Sequence, residues 1–313
     1  MACYFNALAT GQSHALARPQ LNESFSNRGR EQHHDTDLQV HESFTGGLHI
    51  GRLPHPVKTE QDNMDTYGLI GYPLGHSFSR NFFADKFSSE NIQAQYLNFE
   101  IPDIKDIKDI LAQQTELHGF NVTIPYKQQI IPYLNSISKE AAAIGAVNVV
   151  KVIRKGDKIQ LKGYNSDVIG FTNSIQPLLQ PHHKKALILG TGGASKAIHY
   201  ALTEKMGLET LFVSRTKKPG MITYEEITPE TIKEYEVIVN CSPVGMYPHV
   251  DECPALPYEA MSSSNLLYDL VYNPDRTRFM QMGEAHGAVV KNGLEMLILQ
   301  AIASWEFWHG KDE

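Results

Sequence analysis

The stretch GLIGYPLGHSFSR, from Gly68 to Arg80, begins as an apolar strand and ends with two serines one residue apart, Ser77 and Ser79. A fold does not need two hydroxyls there, so the pair is a candidate for holding a polar ligand. Further polar residues gather where strands give way to helices. NVTIPYK supplies Asn121, Thr123 and Lys127, GAVNVV supplies Asn148, and GYNSD supplies Asn165 and Asp167. A lone lysine is ordinarily a surface lysine, and a lone Asp before a helix is ordinarily an N-cap. Clusters that recur at successive strand ends point instead to one cleft.

A second kind of chemistry sits in GTGGAS, Gly190 to Ser195, between a short buried strand and a helix. Gly190 permits a tight turn. Gly192 lets the backbone approach a pyrophosphate, which the helix amides and dipole then hold. Ser195 stands where the usual fingerprint has a third glycine. An NAD protein carries an acid at the end of the next strand, about 20 residues beyond the glycines. This chain has SRTKK there, Ser214 to Lys218, with no acid in the run. Arg215 offers a planar fork for a 2′-phosphate, with Thr216 and Lys217 beside it. The expected cofactor is therefore NADP(H).

The elements that must position these residues alternate from Met64 onward. TYGLIGY, AQYLNFE and HGFNVTIP have strand character. SRNFFADKFSSEN is helical, with Phe82, Phe83 and Phe87 on one side. DIKDIKDILAQQ is a helix capped by Asp103. AVNVVKVIRKGDKIQLKGYNS predicts a hairpin turning at Gly156-Asp157. DVIGFTNSIQPLL is a further helix. The second half repeats the theme with KKALILG, KAIHYALTEKMG, ETLFVSR, YEVIVNCS, NLLYDLVY and GAVVKNG, and closes with the apolar helix LEMLILQAIASWEFWHG. The fold class is α/β with two domains and a cleft between them. The first has a mostly parallel sheet; the second is a Rossmann-type domain. The expected boundaries are 64–166 with 292–313 for the first and 167–291 for the second.

Composition narrows the function. The chain has 313 residues, 42% hydrophobic and 20% charged, with a net charge of −7, which argues against nucleic-acid and membrane-surface partners. Its three cysteines, Cys3, Cys241 and Cys253, lack metal-ligand spacing and fit a reduced, cytoplasmic compartment. No metal is expected. Residues 1–63 hold six of the fourteen histidines, with no sustained apolar period. They are expected to be a disordered leader or a mis-assigned extension upstream of a start at Met64. Seven acidic residues against five Lys and Arg argue against a targeting peptide. The paired His33 and His34 fit a solvated tract better than a metal site.

GYPLGHSFS, NVTIPYK, GAVNVV, GYNSD, GTGGAS, SRT, NCSPVGM, DLVYNP and NGLEMLILQA, in this order, resemble the shikimate dehydrogenase family. The resemblance covers Met64 to about Gly310. It implies that Lys127 and Asp167 form the catalytic pair and that Ser77 and Ser79 bind the substrate carboxylate. Thr123, Asn148, Tyr272 and Gln300 are implied to complete the substrate site. Gly190, Thr191, Gly192, Gly193, Ala194 and Ser195 would bind pyrophosphate. Ser214, Arg215 and Thr216 would bind the adenosine 2′-phosphate, and Gly293 and Met296 would lie by the nicotinamide.

The implied reaction is reduction of 3-dehydroshikimate to shikimate by NADPH, in a monomer or homodimer. Arg80, Tyr126, Ser166 and Ser214 depart from the family's commoner Pro, His, Thr and Asn. A quinate/shikimate dehydrogenase is the nearest alternative. A methylene-tetrahydrofolate dehydrogenase-like enzyme would not need this hydroxyl-rich set. A non-catalytic shikimate- or nucleotide-sensing module would not need Lys127 and Asp167.

Overall fold

Two six-stranded sheets carry the molecule. The computed structural model describes residues 64–74 and 77–310, all within one compact unit; the expectations for residues 1–63 lie outside them. The chain opens with β1 (Asp65–Gly71), α1 (Phe78–Ser89) and β2 (Ala94–Glu100), a unit whose strands pair in parallel with Tyr67 opposite Tyr96. A 3-10 turn and α2 (Ile107–Gln113) lead to β3 (Leu117–Val122). The turn starts at Asp103, whose side chain accepts from the Lys105 amide, as the sequence predicts, although the helix proper begins only at Ile107. After β4 (Ser136–Ile137) and α3 (Lys139–Ile144), β5 (Val149–Lys155) and β6 (Lys158–Tyr164) form the expected hairpin. It turns through Gly156, at φ +57° a position that favours glycine.

The first sheet runs β2-β1-β3-β5-β6-β4. Pairings β1–β2, β1–β3 and β4–β6 are parallel, while β3–β5 and β5–β6 are antiparallel. The parallel half is the side on which strand ends lead into helices and loops carrying polar groups.

The second sheet is all parallel. Helix α4 (Asp167–Ile175) precedes β7 (Lys185–Leu189), α5 (Gly193–Tyr200), β8 (Glu209–Ser214) and β9 (Met221–Thr223). Then come α6 (Pro229–Glu234), β10 (Val237–Asn240), β11 (Leu266–Asp269), α7 (Arg278–Ala285), β12 (Val289–Lys291) and the long α8 (Leu294–His309). The order is β12-β11-β10-β7-β8-β9, so the strand order reverses at β7, the point where doubly wound sheets open a crevice. Strand β7 is buried on both faces. Ala186 and Ile188 join a core with α4 and α5, while Leu187 and Leu189 join the core on the opposite face. That accounts for its unbroken apolar run.

Helix α5 begins inside the glycine run, at Gly193, earlier than the sequence suggests, and relaxes into a π turn over Ala201–Lys205. Helix α8 links the two sheets. Met296 near its start belongs to the core on one face of the second sheet. At its far end Trp308 lies across the first sheet, donating its indole N–H to the Val150 carbonyl at 3.1 Å. A Cβ at Gly119 would fall 2.3 Å from that indole, so glycine there admits the ring.

Candidate active site

Lys127 is held from both sides. Thr123 N donates to Ile70 O (2.9 Å), the buried Tyr126 donates its hydroxyl to Ile101 O (2.6 Å), and Val147 N donates to Lys127 O (2.7 Å). The turn after β3 is thereby pinned to β1 and to the segment before β5. The lysine Nζ donates to Asp167 Oδ2 at 2.5 Å. Their side chains are 15% and 9% exposed, so the pair is largely withdrawn from solvent screening.

Asp167 is not an N-cap. It occupies the first turn of α4, behind Ser166, with its carboxylate aimed at the lysine. Its other oxygen accepts from Asn148 Nδ2 at 2.8 Å, and Asn148 Oδ1 accepts from Ser166 N at 2.7 Å. Asn165 has a different task. It donates to Ala146 O (3.0 Å) and accepts from Val168 N (3.3 Å), tying the end of β6 to the start of α4.

Lys127, Asn148 and Asp167 line a cavity of about 340 Å³, while Asn165, expected at the same cleft, is not part of its wall. It gathers Ser77, Ser79, Thr123, Lys127, Asn148, Asp167, Tyr272, Gln300, Gly293 and Met296, every substrate and catalytic residue singled out above together with two assigned to the cofactor. Among the described residues, Lys127 and Asp167 are the only charged side chains in its wall. The other polar groups are neutral hydroxyls and amides. A small anion entering here meets donors without a second fixed cation. Asn121 also faces the cavity, a place for which the family resemblance gives it no role. It accepts from Tyr96 OH (2.8 Å) and donates to Ser304 Oγ (2.9 Å). Burial pushes the Tyr96 phenol above its ordinary value, which keeps it a donor, and the Ser79 hydroxyl bonds to it.

The fold does use one of the two serines. Ser77 is the N-cap of α1, its Oγ accepting from Arg80 N at 3.3 Å. Gln300 turns its amide N–H toward Leu297 O (2.8 Å), and its carbonyl oxygen lies 3.4 Å from Ser166 Oγ. Close backbone approaches deliver the wall residues of α8. A Cβ at Gly170 of α4 would lie 2.5 Å from Met296 O, and one at Gly293 would lie 2.2 Å from Leu270 O. Tyr272 reaches the cavity from the loop after β11 and meets the Phe78 ring edge-on at 5.9 Å.

The Asp269 carboxyl shapes that loop. It accepts from Asn240 Nδ2 (2.9 Å), Val271 N (3.0 Å) and Thr277 Oγ1 (2.6 Å). It thus joins the end of β10 to the loop bearing Tyr272. Burial outweighs these three donors and pushes its carboxyl up to about 6.

The glycine turn lies beside the cavity. A Cβ on Gly193 would sit 3.6 Å from the Lys127 side chain, so the start of α5 reaches that lysine. Gly190 has φ +115°, where glycine is required. No side chain caps α5 at Gly192, and a Cβ there would meet open space. Free first-turn amides facing open space fit a pyrophosphate. Ser195 Oγ bonds back to Gly192 O (2.6 Å), which tightens the turn. Ala194 follows Gly193 in the same first turn.

At the end of β8, Arg215 and Thr216 are exposed, while the Ser214 hydroxyl is buried and accepts from Thr216 N at 3.4 Å. Lys217, expected beside the Arg215 fork, pairs instead with Glu226. Lys218 points to the glycine turn, donating to Thr191 Oγ1 at 3.3 Å. An arginine fork that pairs with no carboxylate among the described residues fits a 2′-phosphate. Among the described residues no cluster of three metal-ligating side chains occurs, and no helix is long and apolar enough to cross a membrane.

Comparison with known proteins agrees with this geometry. A family model described as the shikimate dehydrogenase substrate binding domain matches residues 69–150. The chain is 34% identical over 259 residues to the shikimate dehydrogenase (NADP(+)) of Carboxydothermus hydrogenoformans, covering 78% of this chain and 91% of that one. It is 37% identical over 266 residues to the enzyme of the same name from Halothermothrix orenii, covering 78% and 90%. The Thermus thermophilus shikimate 5-dehydrogenase, solved with NADP(H) and shikimate, superposes with a TM-score of 0.68 at 30% identity, covering 79% of this chain and 94% of that one. By its motifs, its two sheets and these relatives, the chain belongs to the shikimate dehydrogenase family.

Proposed function

We propose that this protein interconverts 3-dehydroshikimate and shikimate, with NADP(H) as hydride carrier. The observation that carries the reading is the Lys127–Asp167 pair, set in a cavity of otherwise neutral donors and touching the start of α5. The bound nicotinamide supplies hydride to the ring ketone carbon, or accepts it in reverse. The chain's own residues do the rest. Lys127 donates a proton from its ammonium to the carbonyl oxygen as that oxygen gains charge, and in reverse it takes the hydroxyl proton. Asp167 fixes the direction of the ammonium. Asn148 fixes Asp167.

Ser77, Ser79 and Thr123 hold the substrate carboxylate and ring hydroxyls, Gln300 and Tyr272 close on the ring, and Met296 and Gly293 border the nicotinamide. The turn from Gly190 to Ser195 binds pyrophosphate through backbone amides. Arg215 and Thr216 bind the 2′-phosphate, with Ser214 shaping their turn.

In this reading residues 64–166 with 292–313 form the substrate domain and 167–291 the NADP domain. The protein works in the cytoplasm as a monomer or homodimer, a setting supported by the free thiols Cys241 and Cys253. The test is NADP+ reduction with shikimate against quinate, repeated with NAD+. Turnover should favour shikimate with NADP+. Preference for quinate with NAD+, or no turnover with any pair, overturns the reading.

A further inference from the structure

Behind the cavity runs a continuous set of buried hydrogen bonds, and it converges on one hydroxyl that no motif marks. Ser304, on α8, is fully buried. Its Oγ donates to Gln300 O at 2.7 Å, accepts from Asn121 Nδ2 at 2.9 Å, and lies 3.2 Å from Ser166 Oγ.

A serine hydroxyl has one proton and two lone pairs. The Gln300 carbonyl can only accept, so the single Ser304 proton is committed to it. The Ser166 contact must then run from Ser166 to Ser304. With its proton placed there, Ser166 Oγ is free to accept from Asn148 Nδ2, at 3.1 Å. The second amide proton of Asn148 goes to Asp167 Oδ1. Its carbonyl oxygen is fixed toward Ser166 N. Every proton between Ser304 and the catalytic carboxylate therefore has one consistent place. On the other side, Ser304 takes the shorter of the two bonds that Asn121 Nδ2 makes; the second, to Asn148 O, is 3.3 Å.

We propose that Ser304 is a positioning residue for the reaction. Its hydroxyl sets the orientation of Asn121 in the cavity wall and, through Ser166 and Asn148, of the Asp167 carboxylate that aims Lys127. The proposal rests on the dehydrogenase reading above. Without the hydroxyl, the Ser166 proton turns toward Asn148 Oδ1 or Gln300 Oε1, each 3.4 Å away. Asn148 and Asp167 then lose their fixed reference. Small misplacements of a reacting group are costly to rate while leaving a remote cofactor site intact.

The test is steady-state kinetics of Ser304→Ala in the full chain, with shikimate and NADP+. We expect kcat to fall about tenfold, with the KM for NADP+ unchanged within about twofold. A purely structural serine would lower the melting temperature and multiply with any active-site change. A positioning serine acts through Asp167, so in the Asp167→Asn background Ser304→Ala should cost less than about threefold more. Ser166→Ala cuts the same chain with no substitution in α8. It carries the test should Ser304→Ala fail to fold, and should slow turnover similarly. Wild-type kcat in Ser304→Ala, or in Ser166→Ala if that variant must serve, overturns the proposal, as does full multiplication in the double mutant. A wild-type protein with no shikimate turnover is the distinct failure of the functional reading, and the proposal falls with it.

Discussion

Lys127 and Asp167 lie 40 positions apart in the chain and meet at 2.5 Å, each held by the backbone of a different strand end. A positioned acid–base group contributes about 10²–10⁴-fold. Lys127→Met keeps the apolar stem and removes the ammonium. It should lower kcat within that range at saturating substrate, with a smaller change in shikimate KM. Asp167→Asn should slow turnover too, and the double variant should fall short of the product of the singles. Near-normal turnover of Lys127→Met would leave the proton donor elsewhere.

The two serines separate differently. Both Ser77→Ala and Ser79→Ala should raise shikimate KM. Ser77→Ala also removes the α1 cap, which should cost about 1 kcal/mol of stability in chemical unfolding. An unfolding free energy of Ser77→Ala equal to that of the wild type would deny the cap that role. The sequence marks both serines by type and spacing. It does not reveal that one works for the helix, because a cap and a ligand donor are written with the same residue. Lys217 and Lys218 are likewise indistinguishable as letters. Only the fold places Glu226 beside the first and Thr191 beside the second.

At the scale of elements, the strands legible in the sequence are those with long or doubly buried apolar runs, such as β1 and β7. The short β4 and β9, and the short α3 and α6, carry too few residues to show a period of their own and form because neighbours supply partners. The loop after β11 is of this kind. NLLYDLVY looks like one strand, but the strand ends at Asp269 and Tyr272 stands in a loop that this carboxyl organises.

Burial raises the Asp269 carboxyl from 3.8 to about 6. The folded chain thus binds its proton more tightly than the unfolded chain. Stability from this group is fully present below pH 3.8 and is lost as pH rises through about 6. Asp269→Asn cannot titrate there. The unfolding free energy of the wild type, measured relative to this variant, should therefore decline by about 2 kcal/mol between about pH 4.5 and 7. A difference that stays constant across that range would mean that Asp269 is ionised throughout.

For the whole molecule, the question is how much of the chain the machine needs. Among the described residues, those of 64–310 build two sheets, three buried cores and the wall of the cavity. The family relatives match 78% of this chain while covering about nine-tenths of their own length. Within residues 64–310 the sequence supplies periodic apolar residues that the two sheets bury. Residues 1–63 have no such period and are rich in polar residues, a composition that buries too little to offset ordering entropy. The contribution of that segment is thus expected to be nil for both stability and catalysis. A chain beginning at Met64 should match the full chain in melting temperature, in kcat and in KM for shikimate and NADP+. A drop of several degrees, which for a protein of this size corresponds to about 1–2 kcal/mol, would show that the first 63 residues pack on the folded unit. A loss of turnover without a change in melting temperature would instead place part of that segment at the mouth of the cavity.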